Sequence, residues 1–225
     1  CNAGLWIDWR FNNCGSEYNT EEYYQRNCNV FKNKYSYSLS SIKKGSTMAH
    51  KKEIDFMIIG SQKAGTSSLL YYLSQHPKIL VHHTYEFVYF FQDDVYEQGY
   101  ENAFKHNYKQ EGQEDKFLLA KNVMVMYSHE ALKRLYEHNP DVKIIIVLRN
   151  PVSRAYSSFW YAKTTGREVA TTFEEAIHKG KTEATSNKYI QQNLQYLEMG
   201  EYARYINTVM EIFPAENVKV IIFEE

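Results

Sequence analysis

Cysteine is scarce in this chain of 225 residues, and the three present, Cys1, Cys14 and Cys28, all fall in the first segment. None has the spacing of zinc ligands, so neither a disulfide framework nor a structural metal site is indicated. The cysteine-free remainder from Asn29 onward fits a reducing compartment. Also missing is any run of the roughly 18 apolar residues that a bilayer-spanning helix needs. The first ten residues lack the basic region and apolar run of a secretory signal. Charge of one sign is not in excess: 26 Lys+Arg stand against 27 Asp+Glu, for a formal net charge of −1. A nucleic-acid binder normally carries a strong basic surplus, so bulk charge argues against that class while leaving room for a local basic pocket.

What is present is an ordinary globular balance, 44% hydrophobic and 24% charged, in a chain long enough for one α/β domain with its own core. The 20 tyrosines are the unusual count. Such rings half-bury with their hydroxyls wet, and some can stack on a base or sugar. Residues 1–50 are rich in Asn, Tyr and Ser without a sustained period, and 36–47 read as a linker. The expectation is an irregular leader over 1–50 and a folded domain over 51–225. A start at Cys1 suggests a fragment of a longer chain.

From residue 54 the pattern alternates strand and helix. Residues 54–59 form an apolar run ending at Gly60, as in a buried parallel strand. Leu69, Leu70 and Leu73 predict a helix over 66–75, stopped by Pro77. Strands are expected at 79–83, 117–120, 142–148 and 218–223, and helices at 95–106, 129–138 and 201–213. Ser128 is placed to cap the second of these helices. Asn150 followed by Pro151 predicts another helix start, running to about Lys163. Thr172 and Glu175 have capping-box spacing. The fold class implied is α/β, with a central, mostly parallel sheet flanked by helices in three layers and ligands bound at the carboxyl ends of the strands.

One such end carries Gly60-Ser61-Gln62-Lys63-Ala64-Gly65-Thr66-Ser67-Ser68. The two glycines have phosphate-loop spacing, which turns backbone N–H groups and a helix N-terminus toward an anion. The lysine is displaced. A nucleoside triphosphatase needs Lys directly after the second glycine and Ser or Thr next for Mg²⁺. Here Thr66 occupies the lysine position and Lys63 precedes Gly65. The strand over 142–148 ends in Arg149-Asn150 rather than the Asp that completes the metal site. This loop suits an anion held by lysine and hydroxyls without a required metal.

The string resembles the 5′-phosphosulfate loop of sulfotransferases that use 3′-phosphoadenosine 5′-phosphosulfate (PAPS), particularly the heparan-sulfate type and its bacterial relatives. The resemblance covers about residues 54–225. It implies a P-loop-type fold, a PAPS donor leaving as PAP, and donor contacts from Lys63, Ala64, Gly65, Thr66, Ser67 and Ser68. Arg149 and Ser157 resemble the family's 3′-phosphate pair, an Arg at a strand end and a Ser eight residues later. An Arg fork matches phosphate oxygens, and this contact separates PAPS from ATP. Arg154, between them, reads as a surface charge.

On the acceptor side, counting from His76-Pro77 puts Glu86 on the family's catalytic glutamate, a general base. Lys121 aligns with a family lysine that stabilises charge on the transferring group. Tyr85 replaces a usual Lys, Val88 a frequent His, and the Glu and Pro that normally accompany Lys121 are absent. These departures suggest a different acceptor. His82 and His83 are the runner-up bases. The implied chemistry is in-line displacement at sulfur, with Glu86 taking the acceptor proton and Lys63 stabilising the leaving oxygen. The expected partners are PAPS and a hydroxyl- or amine-bearing acceptor of saccharide type, with no nucleic acid and no metal. The family normally continues beyond the last strand with further helices. The setting implied is cytoplasmic for a bacterial chain and the Golgi lumen for a eukaryotic one. A P-loop kinase and a non-catalytic PAP-binding module are the competing classes.

Overall fold

The computed structural model describes residues 52–109, 115–178 and 188–224, with backbone alone at 188–190. The expected leader over 1–50, and with it Cys1, Cys14 and Cys28, lies outside the described residues. Five strands form one sheet: β1 (Phe56–Gly60), β2 (Ile79–Val81), β3 (Phe117–Lys121), β4 (Lys143–Leu148) and β5 (Val218–Ile222). Their order is β2-β3-β1-β4-β5 and every pairing is parallel. Helices α1 (Thr66–Ser74), α2 (Asp93–Glu97), α3 (Tyr100–Asn107), α4 (His129–His138), α5 (Pro151–Thr164), α6 (Phe173–His178), α7 (Lys188–Asn193) and α8 (Tyr202–Ile212) connect and cover it.

Both faces of the sheet are buried, which is why its strands read as continuous apolar runs. On one face Ile58, Ile79 and Leu119 pack with Leu69, Leu70 and Leu73 of α1. On the other, Met57, Ile59, Ile144 and Ile146 meet Leu132 and Leu135 of α4, Phe104 of α3 and Val209 of α8. Each fully buried aliphatic side chain of this kind contributes roughly 1.5–3 kcal/mol. A smaller cluster joins Ala155, Phe159 and Ala162 of α5 to Ala176 of α6 and to Tyr196.

Helix starts follow their caps. Ser128 Oγ accepts from the Ala131 N–H at 3.2 Å, and Asn150 Oδ1 accepts from the Val152 and Ser153 N–H groups at 3.1 Å each. Thr172 Oγ1 accepts from the Glu175 N–H at 3.1 Å, while the Glu175 carboxylate reaches back to Thr171 rather than to the cap itself. The single helix expected over 95–106 is two, because the chain breaks at Gly99, whose φ of 85° lies in the left-handed region. The short helix α7 carried no usable periodicity.

The order of the strands locates the site. From β1 the chain crosses to β2 on one side, whereas from β4 it moves to β5 on the other. The loops leaving these two adjacent strands therefore diverge, opening a crevice at their carboxyl ends.

Candidate functional site

The loop after β1 is tied down before it turns. The Ser61 N–H and hydroxyl both donate to the Val147 carbonyl of β4, at 2.7 and 3.0 Å. Lys63 then takes a left-handed conformation, φ 65°, followed by Gly65 at φ 81°. Glycine is needed at position 65 for a second reason. A Cβ there would stand 2.8 Å from the Phe223 ring. Among the described residues no side chain caps α1 and no acidic residue sits in its first turn, so nothing there competes with an anion for its leading N–H groups.

A cavity of about 320 Å³ opens there, lined by Gln62, Lys63, Gly65, Thr66, Ser67, Ser68, Tyr85, Glu86, Val123, Arg149, Ser157, Tyr161 and Phe223. The loop, the Arg149–Ser157 pair and Glu86 thus share one space. Ala64 is fully buried and does not line it. Its N–H donates to the Ser61 carbonyl at 3.3 Å, so the residue presents neither a side chain nor a free N–H to the cavity. Lys121 lies behind the lining rather than on it.

Arg149 leaves the end of β4, donates from Nη1 to the Lys63 carbonyl at 3.2 Å, and stacks its guanidinium 5.2 Å from the Phe223 ring centre. Its own carbonyl accepts from the Tyr202 hydroxyl at 2.8 Å. The ammonium of Lys63 lies 4.4 Å from the centre of the Tyr161 ring. Burial first, and the Arg149 charge second, pull its pKa below the ordinary lysine range.

Glu86 forms an ion pair with Lys121, Oε1 to Nζ at 2.5 Å, and its Oε2 accepts from the Val123 N–H at 3.2 Å. Burial raises its pKa, opposed by Lys121 and the Val123 amide. The basicity of this carboxylate is therefore set by desolvation. Lys121 is 1% exposed, at the end of β3, with Nζ 3.5 Å from Ser67 Oγ and 4.8 Å from the Tyr85 ring centre. One lysine thus connects the carboxylate to the N-terminal turn of α1.

Neither histidine reaches the cavity. His83 is exposed and away from it. His82 is buried, its Nε2 accepting from the Lys121 N–H at 3.1 Å, so its proton sits on Nδ1, 3.3 Å from Thr84 Oγ1. Burial and Lys121 lower its pKa to about 4, which keeps the ring neutral. It fixes the backbone that carries Lys121. A second correction concerns Arg154, expected on the surface and found 0% exposed. On α5 it falls in the buried stripe with Ala155, Ser158, Phe159 and Ala162. Missed from sequence were Gln62, Tyr161, Tyr202 and Phe223. Tyr161 had a signal, since it lies one helical turn beyond Ser157. Phe223 had none, its contact with Gly65 spanning most of the chain.

Residues 53–225 match the family described as Sulfotransferase domain. The chain is 31% identical over 174 residues to the human bifunctional heparan sulfate N-deacetylase/N-sulfotransferase 3, which covers 74% of the chain and 20% of that protein. It is 29% identical over 131 residues to the membrane-associated sulfotransferase kil1 of Dictyostelium discoideum, covering 56% of the chain and 27% of that protein. The chain thus spans only a fifth to just over a quarter of the length of these curated relatives. The crystal structure of a sulfotransferase from Alicyclobacillus acidocaldarius superposes with a TM-score of 0.62 at 30% identity, covering 76% of this chain and 73% of that one. The fold is accordingly of the P-loop α/β type.

Proposed function

Because the chain belongs to the sulfotransferase domain family, we propose that it transfers a sulfuryl group from PAPS to a hydroxyl or amine of a saccharide-like acceptor. The observation that carries this reading is the single cavity shared by the Lys63 loop, Arg149, Ser157 and Glu86. Its residues fit a nucleotide with an anion at each end. The 5′ end is met by Lys63, the hydroxyls of Thr66, Ser67 and Ser68 and the α1 N-terminus. The 3′-phosphate is met by Arg149 and Ser157.

The donor supplies a sulfuryl group bonded through oxygen to its 5′-phosphate. In the proposed step the acceptor oxygen or nitrogen bonds to sulfur, and the sulfur–oxygen bond to the phosphate breaks with its electron pair going to that oxygen. Glu86 accepts the acceptor's proton. Lys63 and the loop amides hold the charge that develops on the leaving oxygen, as fixed donors in a partly dry site do. Positioning supplies much of the remainder. The human relative's name includes heparan sulfate, which supports a saccharide acceptor, while Tyr85 in place of a lysine makes the acceptor wall less cationic.

Calorimetric titration with PAP, ADP and ATP, each with and without Mg²⁺, tests the reading. PAP is expected to bind tightly in the absence of metal and to outcompete ADP. A Mg²⁺-dependent preference for ATP would instead favour a phosphotransferase.

A further inference from the structure

Behind the donor cavity lies a buried cation that the proposed chemistry does not use. Arg154 stands on α5 one turn before Ser157 and is 0% exposed. Its Nη2 donates to the Tyr196 carbonyl, but among the described residues Nε and Nη1 find no hydrogen-bond partner. Among the described residues no carboxylate pairs with it. An uncompensated buried guanidinium is strongly destabilising, so its place calls for a use.

Its electrostatic neighbours are the phenol groups of Tyr127, Tyr202 and Tyr205. Two of these reach the two anchors of the cavity. The Tyr202 hydroxyl donates to the carbonyl of Arg149 at 2.8 Å. The Tyr127 hydroxyl donates to the Met199 carbonyl at 3.3 Å and faces the backbone N–H of Gln62 in the anion loop. A parallel link runs through Ser158, which donates at 2.8 Å to the Gln62 side chain, itself bonded to Asn193.

We propose that Arg154 is a positioning residue for the donor: its bond to the Tyr196 carbonyl holds the segment 196–202, where Met199 receives the Tyr127 hydroxyl and Tyr202 reaches Arg149, and so sets the span between the Lys63 loop and Arg149 to that of a nucleotide anionic at both 5′ and 3′ ends. The same charge adds positive potential behind the cavity. This rests on the PAPS reading, and binding of PAP against ADP separates the two ideas.

The experiment titrates PAP and ADP into the chain and into Arg154→Met, Arg154→Lys and Tyr202→Phe, with thermal unfolding of each. Arg154→Met is expected to cut the preference for PAP over ADP about tenfold, the loss typical of disturbing one hydrogen bond to a charged group. Arg154→Lys restores most of it. Tyr202→Phe lowers the preference in the same direction, and its effect shrinks when combined with Arg154→Met, because both act through one hydroxyl. If Arg154→Met lowers thermal stability but leaves the preference intact, the residue is structural only and the proposal is overturned. Should Arg154→Met fail to fold, an unchanged preference in Tyr202→Phe alone overturns it. A parent chain that binds ADP as tightly as PAP refutes the donor reading itself, and the proposal with it.

Discussion

Replacing Arg149 by alanine tests the 3′-phosphate assignment most directly. In the proposed complex the guanidinium meets a phosphate dianion at the rim of a half-enclosed cavity. A hydrogen bond to a charged group contributes about 1.5–3 kcal/mol, and the fork can make two while solvent screens part of the gain. The expected loss is about 2–3 kcal/mol, or roughly 30- to 150-fold in PAP affinity. Arg149 also ties the loop, through its 3.2 Å bond to the Lys63 carbonyl. ADP, which lacks the 3′-phosphate, measures that second contribution by itself. The assay is therefore calorimetric titration of both nucleotides into both proteins. Arg149→Ala should erase most of the preference for PAP and weaken ADP only slightly. Equal losses for the two nucleotides would refute the reasoning, since Arg149 would then serve the loop and not the ribose phosphate.

Three further outcomes follow from the same geometry. The pH profile of kcat/KM, which reports the unliganded groups, should be a bell with both limbs drawn inward. Activity climbs as Glu86 ionises, at a pH above its ordinary 4.5, and falls as Lys63 loses its proton, at a pH below the ordinary 10.5; limbs at the ordinary values would contradict the burial argument. Glu86→Gln should lower turnover by about 10²–10⁴ through loss of the base, while PAP binding holds or tightens because Lys121 loses its counter-charge; weaker PAP binding would mark Glu86 as structural. Gly65→Ala forces a side chain to φ 81° and into the Phe223 ring at 2.8 Å. A thermal melt should show a drop of roughly 3–8 °C, and an unchanged Tm would mean that the ring moves freely.

The framework was legible because its signals are local. The cap at Asn150 with Pro151, the cap at Ser128, and the apolar runs around Ile58 and Ile145 are each set by a few neighbouring residues. The turn between β1 and α1 was legible too, as glycine spacing and the displaced Lys63 are sequence facts. Arg154 was misread because charge normally signals solvent, and only three-dimensional packing reveals a stripe in which an arginine lies beside Ala155 and Ala162. The same limit hid Phe223. Its position over Gly65 depends on β5 pairing with β4, a contact between distant segments. Lys121 was reached only through the resemblance, and its burial against Glu86 needed the register of β3 beside β1.

In the proposed reaction, the Glu86–Lys121 pair would let one buried carboxylate serve as the base. Alone and desolvated, Glu86 would hold its proton and have no capacity to take another. Lys121 favours its ionised form, while burial, the larger effect, makes it more basic than a surface glutamate. In the proposed step, transfer of the acceptor's proton to Glu86 would break the pair and leave Lys121 with an uncompensated charge. Its Nζ already stands 3.5 Å from Ser67 Oγ, on the loop proposed to hold the transferring group. A unit charge about 4 Å from a developing anion, at the effective dielectric of about 20 that suits such sites, is attracted by about 4 kcal/mol before screening. Proton removal and charge delivery are then one event. His82 completes the arrangement from behind: its neutral ring accepts the Lys121 N–H and holds that backbone in place. On this argument the lysine that lowers the carboxylate's affinity for a proton in the resting state becomes, once the proton moves, the group that stabilises the transferring sulfuryl.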